Sequence, residues 1–310
     1  MIQAYAPASI GNFAAGFDIL GAAVADVEDP LRLGDIVTIE PAEQTSFEAM
    51  GPYAGSLPGD PGDNLVVRAR DRIAAVLRAN GAELPPHHLV LQKRLPLNSG
   101  LGSSAASIVA GLLAVNAFAG EPLDEAALYR MAGELEGTFS GGVHYDNTGP
   151  SLLGGLLVIA PAGPPCPLPF PDELRMIVVH PDLELSTAAS RAALPREFPR
   201  ARVVEFAQNL ALFVHALHVG DRALLERSLR DPLAEPHRAP LVQGFEQVKR
   251  AALDRGALGC SLSGSGPSVF AVAEQGGARA VRDAMVAAFA RAGVRADGYV
   301  CVLDAGARLV

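Results

Sequence analysis

Residues 96 to 115 read Pro-Leu-Asn-Ser-Gly-Leu-Gly-Ser-Ser-Ala-Ala-Ser-Ile-Val-Ala-Gly-Leu-Leu-Ala-Val, a glycine-serine turn running straight into a helix of small and apolar residues. The segment before it, His88 to Leu95, alternates enough to be a strand, and Pro96 stops it. Gly100 and Gly102 can take φ > 0 and carry no Cβ. The backbone N–H groups of Leu101 to Ala105 can therefore close around an oxyanion at the positive end of the helix. Ser103 and Ser104 add hydroxyls there. Ala105, Ala106, Ile108, Val109, Leu112, Leu113 and Val115 make the helix apolar nearly all round, which predicts that it is buried. A buried positive helix end suits a phosphate.

Two other phosphate motifs come close to this stretch. Gly-Leu-Gly-Ser-Ser-Ala at 100 to 105 satisfies the G-x-G-x-x-A form of the dinucleotide fingerprint. That reading expects a second strand ending in an acid about 20 residues on. Glu121 follows Ala117-Phe-Ala-Gly120, which is no strand. The Walker loop requires Gly-Lys-Ser/Thr, and no lysine follows Gly102. Standing alone, the loop could also be a tight turn into a core helix.

The chain has 310 residues, 49% hydrophobic and 19% charged, enough for one large or two ordinary domains with real cores. Net charge is -9 with the acids dispersed, which favours neither nucleic acid nor an anionic membrane surface and leaves small molecules as the expected clients. The start, Met-Ile-Gln-Ala-Tyr-Ala-Pro, has no basic run, and no apolar segment reaches the roughly 18 residues of a membrane span, so a cytoplasmic protein is expected. Cys166, Cys260 and Cys301 are odd in number, far apart and unmatched to histidines, which indicates neither a disulfide framework nor a zinc site. They read as small core residues or unreactive thiols.

Residues 160 to 172 hold six prolines and fit a domain boundary, dividing the chain into 1–160 and 161–310. Upstream, strands at 2–6, 35–40, 88–95 and 152–159 alternate with helices at 64–79, 103–118 and 124–136. Downstream come a strand near 174–180 and a helix with Phe206, Leu210, Phe213, Val214 and Leu217 on one face. A helix near 221–230 ended by Pro232, a strand at 268–273, a helix carrying Val281, Met285 and Phe289, and a strand at 298–303 complete an α+β pattern, one sheet backed by helices. No repeats, heptads or charge blocks are evident.

Four further stretches stand out. Ala8 to Gly21 places Asn12 and Asp18 in a small-residue loop that alone would be a capped turn. Gly141-Gly-Val-His-Tyr-Asp-Asn-Thr-Gly-Pro150 packs His144, Asp146 and Asn147 into a loop entering an apolar strand, for which Asx-turn bonding is the plain alternative. Glu134 and Glu136 sit in the last turn of a helix closed by Gly137, where the dipole disfavours carboxylates by roughly 0.3–1 kcal/mol. A bound cation would reverse that; otherwise both are solvated surface acids. Leu258 to Val272 is a second glycine-serine turn, leading into a strand. Two such turns would make sense if they converged on one triphosphate.

The Pro96 to Ala106 loop, the Asn12 to Gly21 segment and the Ser263 to Pro267 turn are together similar to the three motifs of the GHMP small-molecule kinases, in order and spacing along nearly the whole chain. Within that superfamily, His144-Tyr-Asp-Asn147 before Gly149-Pro-Ser-Leu-Leu-Gly-Gly155, and Ser186-Thr-Ala-Ala-Ser-Arg191 before Leu194-Pro195, resemble the homoserine kinase family. The resemblance implies a two-domain fold of α+β class, with an N-terminal ribosomal-protein-S5-like α/β domain and a C-terminal ferredoxin-like α+β domain. It also implies transfer of the γ-phosphoryl of ATP to the side-chain hydroxyl of L-homoserine, with Mg²⁺, in threonine biosynthesis, and it is compatible with a homodimer.

Carried over residue by residue, the resemblance places Pro96, Leu97, Asn98, Ser99, Gly100, Leu101, Gly102, Ser103, Ser104, Ala105 and Ala106 around the phosphates, with Gly264, Ser265 and Gly266 joining them. Asn64, in Gly62-Asp-Asn-Leu-Val, matches a position near the adenine. Ser103 or Ser104, with Glu136, would hold the metal. Asn12, Asp18, His144 and Asn147 fall at the ammonium and hydroxyl end of the amino acid, with Asn12, Asp18 and Asn147 nearest the reaction. Arg191 and Arg238 fall on the α-carboxylate. The residue types suit these roles, since arginine grips a carboxylate through parallel N–H bonds and an aspartate pairs with an ammonium. Where mevalonate-type relatives have a catalytic aspartate, homoserine kinases place an asparagine, here Asn147. That implies transition-state stabilisation without a dedicated base. One departure is Asn12-Phe-Ala-Ala-Gly16 in place of the more usual Asn-Leu-Gly-Pro-Gly, which bears on the flexibility of the substrate loop.

Three other readings compete. A GHMP kinase for another alcohol would be favoured by aspartate at 147 and no arginine at 191 or 238. A nucleotide-binding regulator without turnover would be signalled by loss of Glu136 or the loop serines. A dinucleotide-dependent oxidoreductase lacks its second strand and acid.

Overall fold

The computed structural model describes residues 1–140, 142–160 and 163–310; Gly141, at the head of the 141–150 loop, and Pro161 and Ala162, in the proline-rich stretch, lie outside the described residues. The first half runs β1 (Ile2–Gly11), β2 (Leu20–Asp26), β3 (Gly34–Pro41), β4 (Ser46–Met50), α1 (Leu65–Ala79), β5 (His87–Gln92), α2 (Ser103–Phe118), α3 (Glu125–Ser140), α4 (Thr148–Leu153), β6 (Leu156–Val158) and β7 (Cys166–Leu168). There follow β8 (Leu174–Pro181), α5 (Thr187–Ala192), α6 (Arg200–Val219), α7 (Arg222–Ser228), α8 (Glu235–Arg238), α9 (Phe245–Asp254), β9 (Gly259–Leu262), β10 (Val269–Glu274), α10 (Ala278–Arg291), β11 (Ala296–Leu303) and β12 (Arg308–Leu309). The class is α+β, as the sequence predicts.

One sheet in the order β4-β5-β3-β1-β2-β11-β8-β10-β9 runs through both halves. β11 joins them, pairing with β2 on one side and β8 on the other, and β12 returns to β1. Along β8 the side chains alternate between two cores. Met176 and Val178 enter the larger one with Phe213 and Phe270, while Ile177 and Val179 enter a second one built on α9 and α10. The larger core surrounds α2, whose residues from Ser103 to Asn116 are almost all buried, as its all-round apolar pattern predicts. Asn64 starts α1 by accepting the Val66 N–H at 2.9 Å.

Several sequence expectations need correction. The apolar run at 152–159 is not one strand: α4 occupies Thr148–Leu153, Gly154 turns at φ 78°, and only Leu156–Val158 is extended. α3 continues through Gly137 to Ser140, so Glu136 is in the helix body and not in a closing last turn. Glu134 is an exposed acid paired with Arg72. Of the cysteines, Cys260 and Cys301 are buried with their thiols pushed up in pKa by desolvation, whereas Cys166 is exposed.

Candidate active site

The glycine loop is shaped by what surrounds it. Gly100 (φ 75°) and Gly102 (φ 62°) are left-handed, and a Cβ on them would stand 2.4 Å from the Ser263 carbonyl oxygen and 2.0 Å from Ser9 Oγ. The loop is tied down by the Ser9 N–H to the Leu101 carbonyl (3.1 Å), the Ser268 N–H to the Ser99 carbonyl (3.1 Å) and Ser263 Oγ to the Gly100 carbonyl (2.6 Å). Gly102 is the N-cap of α2 and no side chain caps that helix, so its first N–H groups face a cavity of about 440 Å³. Beneath the loop Lys93 is buried, donating to Asp35, the Ser103 carbonyl (2.9 Å) and Ser107 Oγ (2.9 Å). Asp35 also accepts the N–H groups of Arg94 and Leu95 at 2.9 and 3.1 Å, which fixes the chain as it leaves β5.

Across the cavity the loop after β1 is strained. Asn12, Phe13 and Ala14 are consecutive left-handed residues with φ of 67°, 39° and 57°, and Asp18 follows at 54°. Phe13 anchors it, fully buried against Phe270 at 5.1 Å and Phe213 at 5.9 Å between ring centroids. Asn12 Nδ2 donates to the Gly264 carbonyl (3.0 Å) and its Oδ1 accepts the Asp18 N–H (2.9 Å). This holds the Asp18 carboxylate 3.9 Å from His144 Nδ1 and 4.0 Å from Arg191. Arg238, 4% exposed, donates to the Gly264 carbonyl (3.1 Å) and the Ser190 carbonyl (3.3 Å) and lies over the Phe17 ring. Asp231 positions it by accepting the N–H groups of Leu233, Ala234 and Glu235, which begin α8. Burial lowers the pKa of His144 and the charge of Arg191 adds to that, while Asp18 opposes, so the ring is held toward its neutral form.

Between these two ends lie Glu136, Asn147 and Asp146. Ser104 Oγ donates to Glu136 Oε1 at 2.8 Å, and burial raises the Glu136 pKa. Ser103 Oγ instead donates to the Leu95 carbonyl (3.2 Å), so of the two loop serines only Ser104 is directed at Glu136. Asn147 accepts from Ser9 Oγ (3.0 Å) and donates to Asp146 (3.3 Å). Asp146 is buried, and desolvation together with Asp18 and Glu136 pushes its carboxyl up to about 7. A carboxyl raised in the folded state binds a proton there that the unfolded chain has already released, so its contribution to stability falls as pH rises from about 4 to about 7. The variant Asp146→Asn is therefore expected to melt above the parent at pH 8, with the difference shrinking toward pH 5; a difference independent of pH would remove Asp146 as its source.

Of the site residues expected from sequence, Asn12, Asp18, Asn64, Leu97, Asn98, Ser99, Gly100, Gly102, Ser103, Ser104, Glu136, His144, Asn147, Arg191, Arg238, Gly264 and Ser265 line this one cavity. Pro96, Leu101, Ala105, Ala106 and Gly266 are not among its lining residues. Sequence reading missed Lys93 and Ser107 as lining residues, and Asp146, Ser186 and Thr187, noted from sequence only within their motifs and given no role, line the cavity too. A lysine inside an otherwise alternating strand, just before a glycine loop, was the available signal for Lys93.

Comparison with known proteins agrees with this architecture. The family descriptions "GHMP kinases N terminal domain" and "GHMP kinases C terminal" match residues 64–155 and 213–291. The chain belongs to the GHMP kinases, a family of small-molecule kinases. A solved homoserine kinase from Cytophaga hutchinsonii is 35% identical over 100% of this chain and 97% of its own, with a TM-score of 0.90. The fold is shared with a mevalonate kinase (12% identity, 98% and 99% coverage, TM-score 0.70) and with Lactococcus lactis galactokinase solved with galactose (13%, 99% and 94%, 0.69). No described helix is long and apolar enough to cross a membrane.

Proposed function

We propose that the protein is a homoserine kinase, transferring the γ-phosphoryl group of ATP to the side-chain hydroxyl of L-homoserine to give O-phospho-L-homoserine. The observation that carries this is one cavity with a glycine-loop helix end at one side and, at the other, two arginines flanking an aspartate. A triphosphate suits the first, and the second matches a zwitterionic amino acid, Arg191 and Arg238 taking the carboxylate and Asp18 the ammonium. Asn12 holds Asp18 in place, and His144, neutral, and Asn147 remain for the acceptor hydroxyl.

The Ser104 hydroxyl and the Glu136 carboxylate are hard oxygen donors side by side at the helix end, a set that fits Mg²⁺ shared with nucleotide phosphates. Bound there, Mg²⁺ would neutralise phosphate charge. The chain's own groups position the reactants: the loop amides hold the phosphates, the arginines fix the amino acid, and the left-handed loop at Asn12 to Ala14 keeps Asp18 facing it.

The test is ADP release from Mg-ATP by the purified protein with L-homoserine, L-serine, mevalonate, galactose or no acceptor. Strong turnover with homoserine alone is expected. Turnover confined to another alcohol would keep a kinase and overturn the roles of His144, Asn147, Arg191 and Arg238. Silence with every acceptor would leave a nucleotide-binding regulator.

A further inference from the structure

Ser9 stands where three parts of the site meet. It belongs to β1, opposite Ala23 of β2, and is fully buried. Its main-chain N–H donates to the Leu101 carbonyl of the phosphate loop, and its hydroxyl donates to Asn147 Oδ1 at 3.0 Å, across 138 residues of chain. Asn147 and Gly102 line the cavity and Ser9 does not. Room for the Ser9 hydroxyl comes from Gly102, where a Cβ would stand 2.0 Å from Ser9 Oγ and 3.1 Å from Asn147 Oδ1. Gly11 makes room likewise, since a Cβ there would fall 3.0 Å from Asn147 Nδ2 and 2.6 Å from Asp146 Oδ2. Asn147 is the N-cap of α4, yet its side chain makes no capping bond, although asparagine is among the residues that most favour one. The Gly149 N–H goes to the Tyr145 carbonyl instead (2.8 Å), and the amide spans from Ser9 to Asp146 Oδ2, to which Nδ2 donates at 3.3 Å. A carboxylate oxygen only accepts, which sets Nδ2 toward Asp146, and turning the amide over would take from the buried Ser9 O–H its acceptor. The amide is withheld from its own helix and held by β1.

We propose that Ser9 is a positioning residue for phosphoryl transfer. Its hydroxyl fixes the Asn147 amide and its main-chain N–H fixes the phosphate loop, so one residue of β1 sets the distance between the acceptor hydroxyl and the phosphates. This rests on the functional reading above, in which Asn147 serves the acceptor hydroxyl and the loop amides serve the phosphates. Misplacing reacting groups by about 1 Å costs on the order of 10²-fold in rate. A hydroxyl that works in this way acts on kcat and through Asn147. A hydroxyl that only packs β1 against its neighbours acts on stability, and its effect is independent of the side chain at 147.

A double-mutant cycle on the full chain tests this, comparing the parent, S9A, N147A and S9A/N147A in steady-state kinetics with Mg-ATP and homoserine, with thermal melts alongside. S9A removes one oxygen atom and leaves the main-chain bond to Leu101 in place. It is expected to lower kcat by about 10- to 100-fold with the KM for ATP within about threefold of the parent. S9C keeps a weak S–H donor and is expected to fall between S9A and the parent. In N147A the partner is already gone, so adding S9A is expected to change kcat by less than about twofold. Losses that multiply in the double variant, or S9A turnover equal to that of the parent, would overturn the positioning role. A parent without homoserine turnover would overturn the functional reading and this one together, whereas a parent that phosphorylates homoserine while the two losses multiply would overturn this one alone.

Discussion

Arg238→Ala is expected to raise the apparent KM for homoserine by roughly 10² to 10³, with the KM for ATP shifted by less than about threefold, as truncating one partner of a buried charge pair costs about 3–4 kcal/mol. Arg238 is the larger lever of the two arginines because it is 4% exposed, whereas the Arg191 side chain is 36% exposed and its attraction for a carboxylate is better screened. Desolvation lowers the Arg238 pKa, yet a guanidinium stays protonated, so the site keeps a nearly dry cation beside Asp18 and Asp231. A purely architectural role is the alternative, since Arg238 also links the Ser190 and Gly264 carbonyls. The two are separated by steady-state kinetics in both substrates with melting temperatures alongside. A homoserine-selective loss that is smaller in Arg191→Ala supports the carboxylate clamp, and equal losses for ATP and homoserine would move both arginines out of the amino-acid site.

How much of this was legible in the sequence depended on how local each signal was. The phosphate loop could be read because its glycines, serines and following helix are contiguous, and the left-handed angles of Gly100 and Gly102 are local demands. β2 and β9 escaped because both faces of each are buried, Leu20–Asp26 and Gly259–Leu262 showing no alternation of period two. That the 263–267 turn meets the loop was unreadable, since the Ser263 Oγ bond to the Gly100 carbonyl spans 163 residues. The Asn12 loop shows the reverse problem. Its Phe-Ala-Ala stretch gives no sign of three left-handed residues in a row, a shape imposed from outside by the Phe13 pocket and the Gly264 carbonyl. For Glu136 the dipole argument failed because α3 runs past Gly137, and the acid is accounted for by Ser104 on a neighbouring helix instead.

Glu136→Gln is expected to move activity and stability in opposite directions. The amide keeps the size of the side chain and an oxygen able to accept the Ser104 hydroxyl, which now lies 2.8 Å from Oε1. Burial raises the Glu136 pKa, so a charge there is a cost to the metal-free fold, and a neutral side chain should leave the melting temperature unchanged or higher above neutral pH. The same loss of charge weakens a Mg²⁺ site, so kcat/KM should fall by about 10³, the several kcal/mol of charge stabilisation a metal supplies, and half-maximal activity should require more Mg²⁺. Ser104→Ala should show a smaller version of the same Mg²⁺ dependence, and Ser103→Ala should not, because its hydroxyl is directed to the Leu95 carbonyl. Initial rates across a Mg²⁺ series, paired with thermal melts, decide the matter. A Glu136→Gln protein that loses stability and activity together would make Glu136 a structural buttress of the helix end, whereas one that melts no lower, turns over slowly and recovers with Mg²⁺ would tie its carboxylate to the metal.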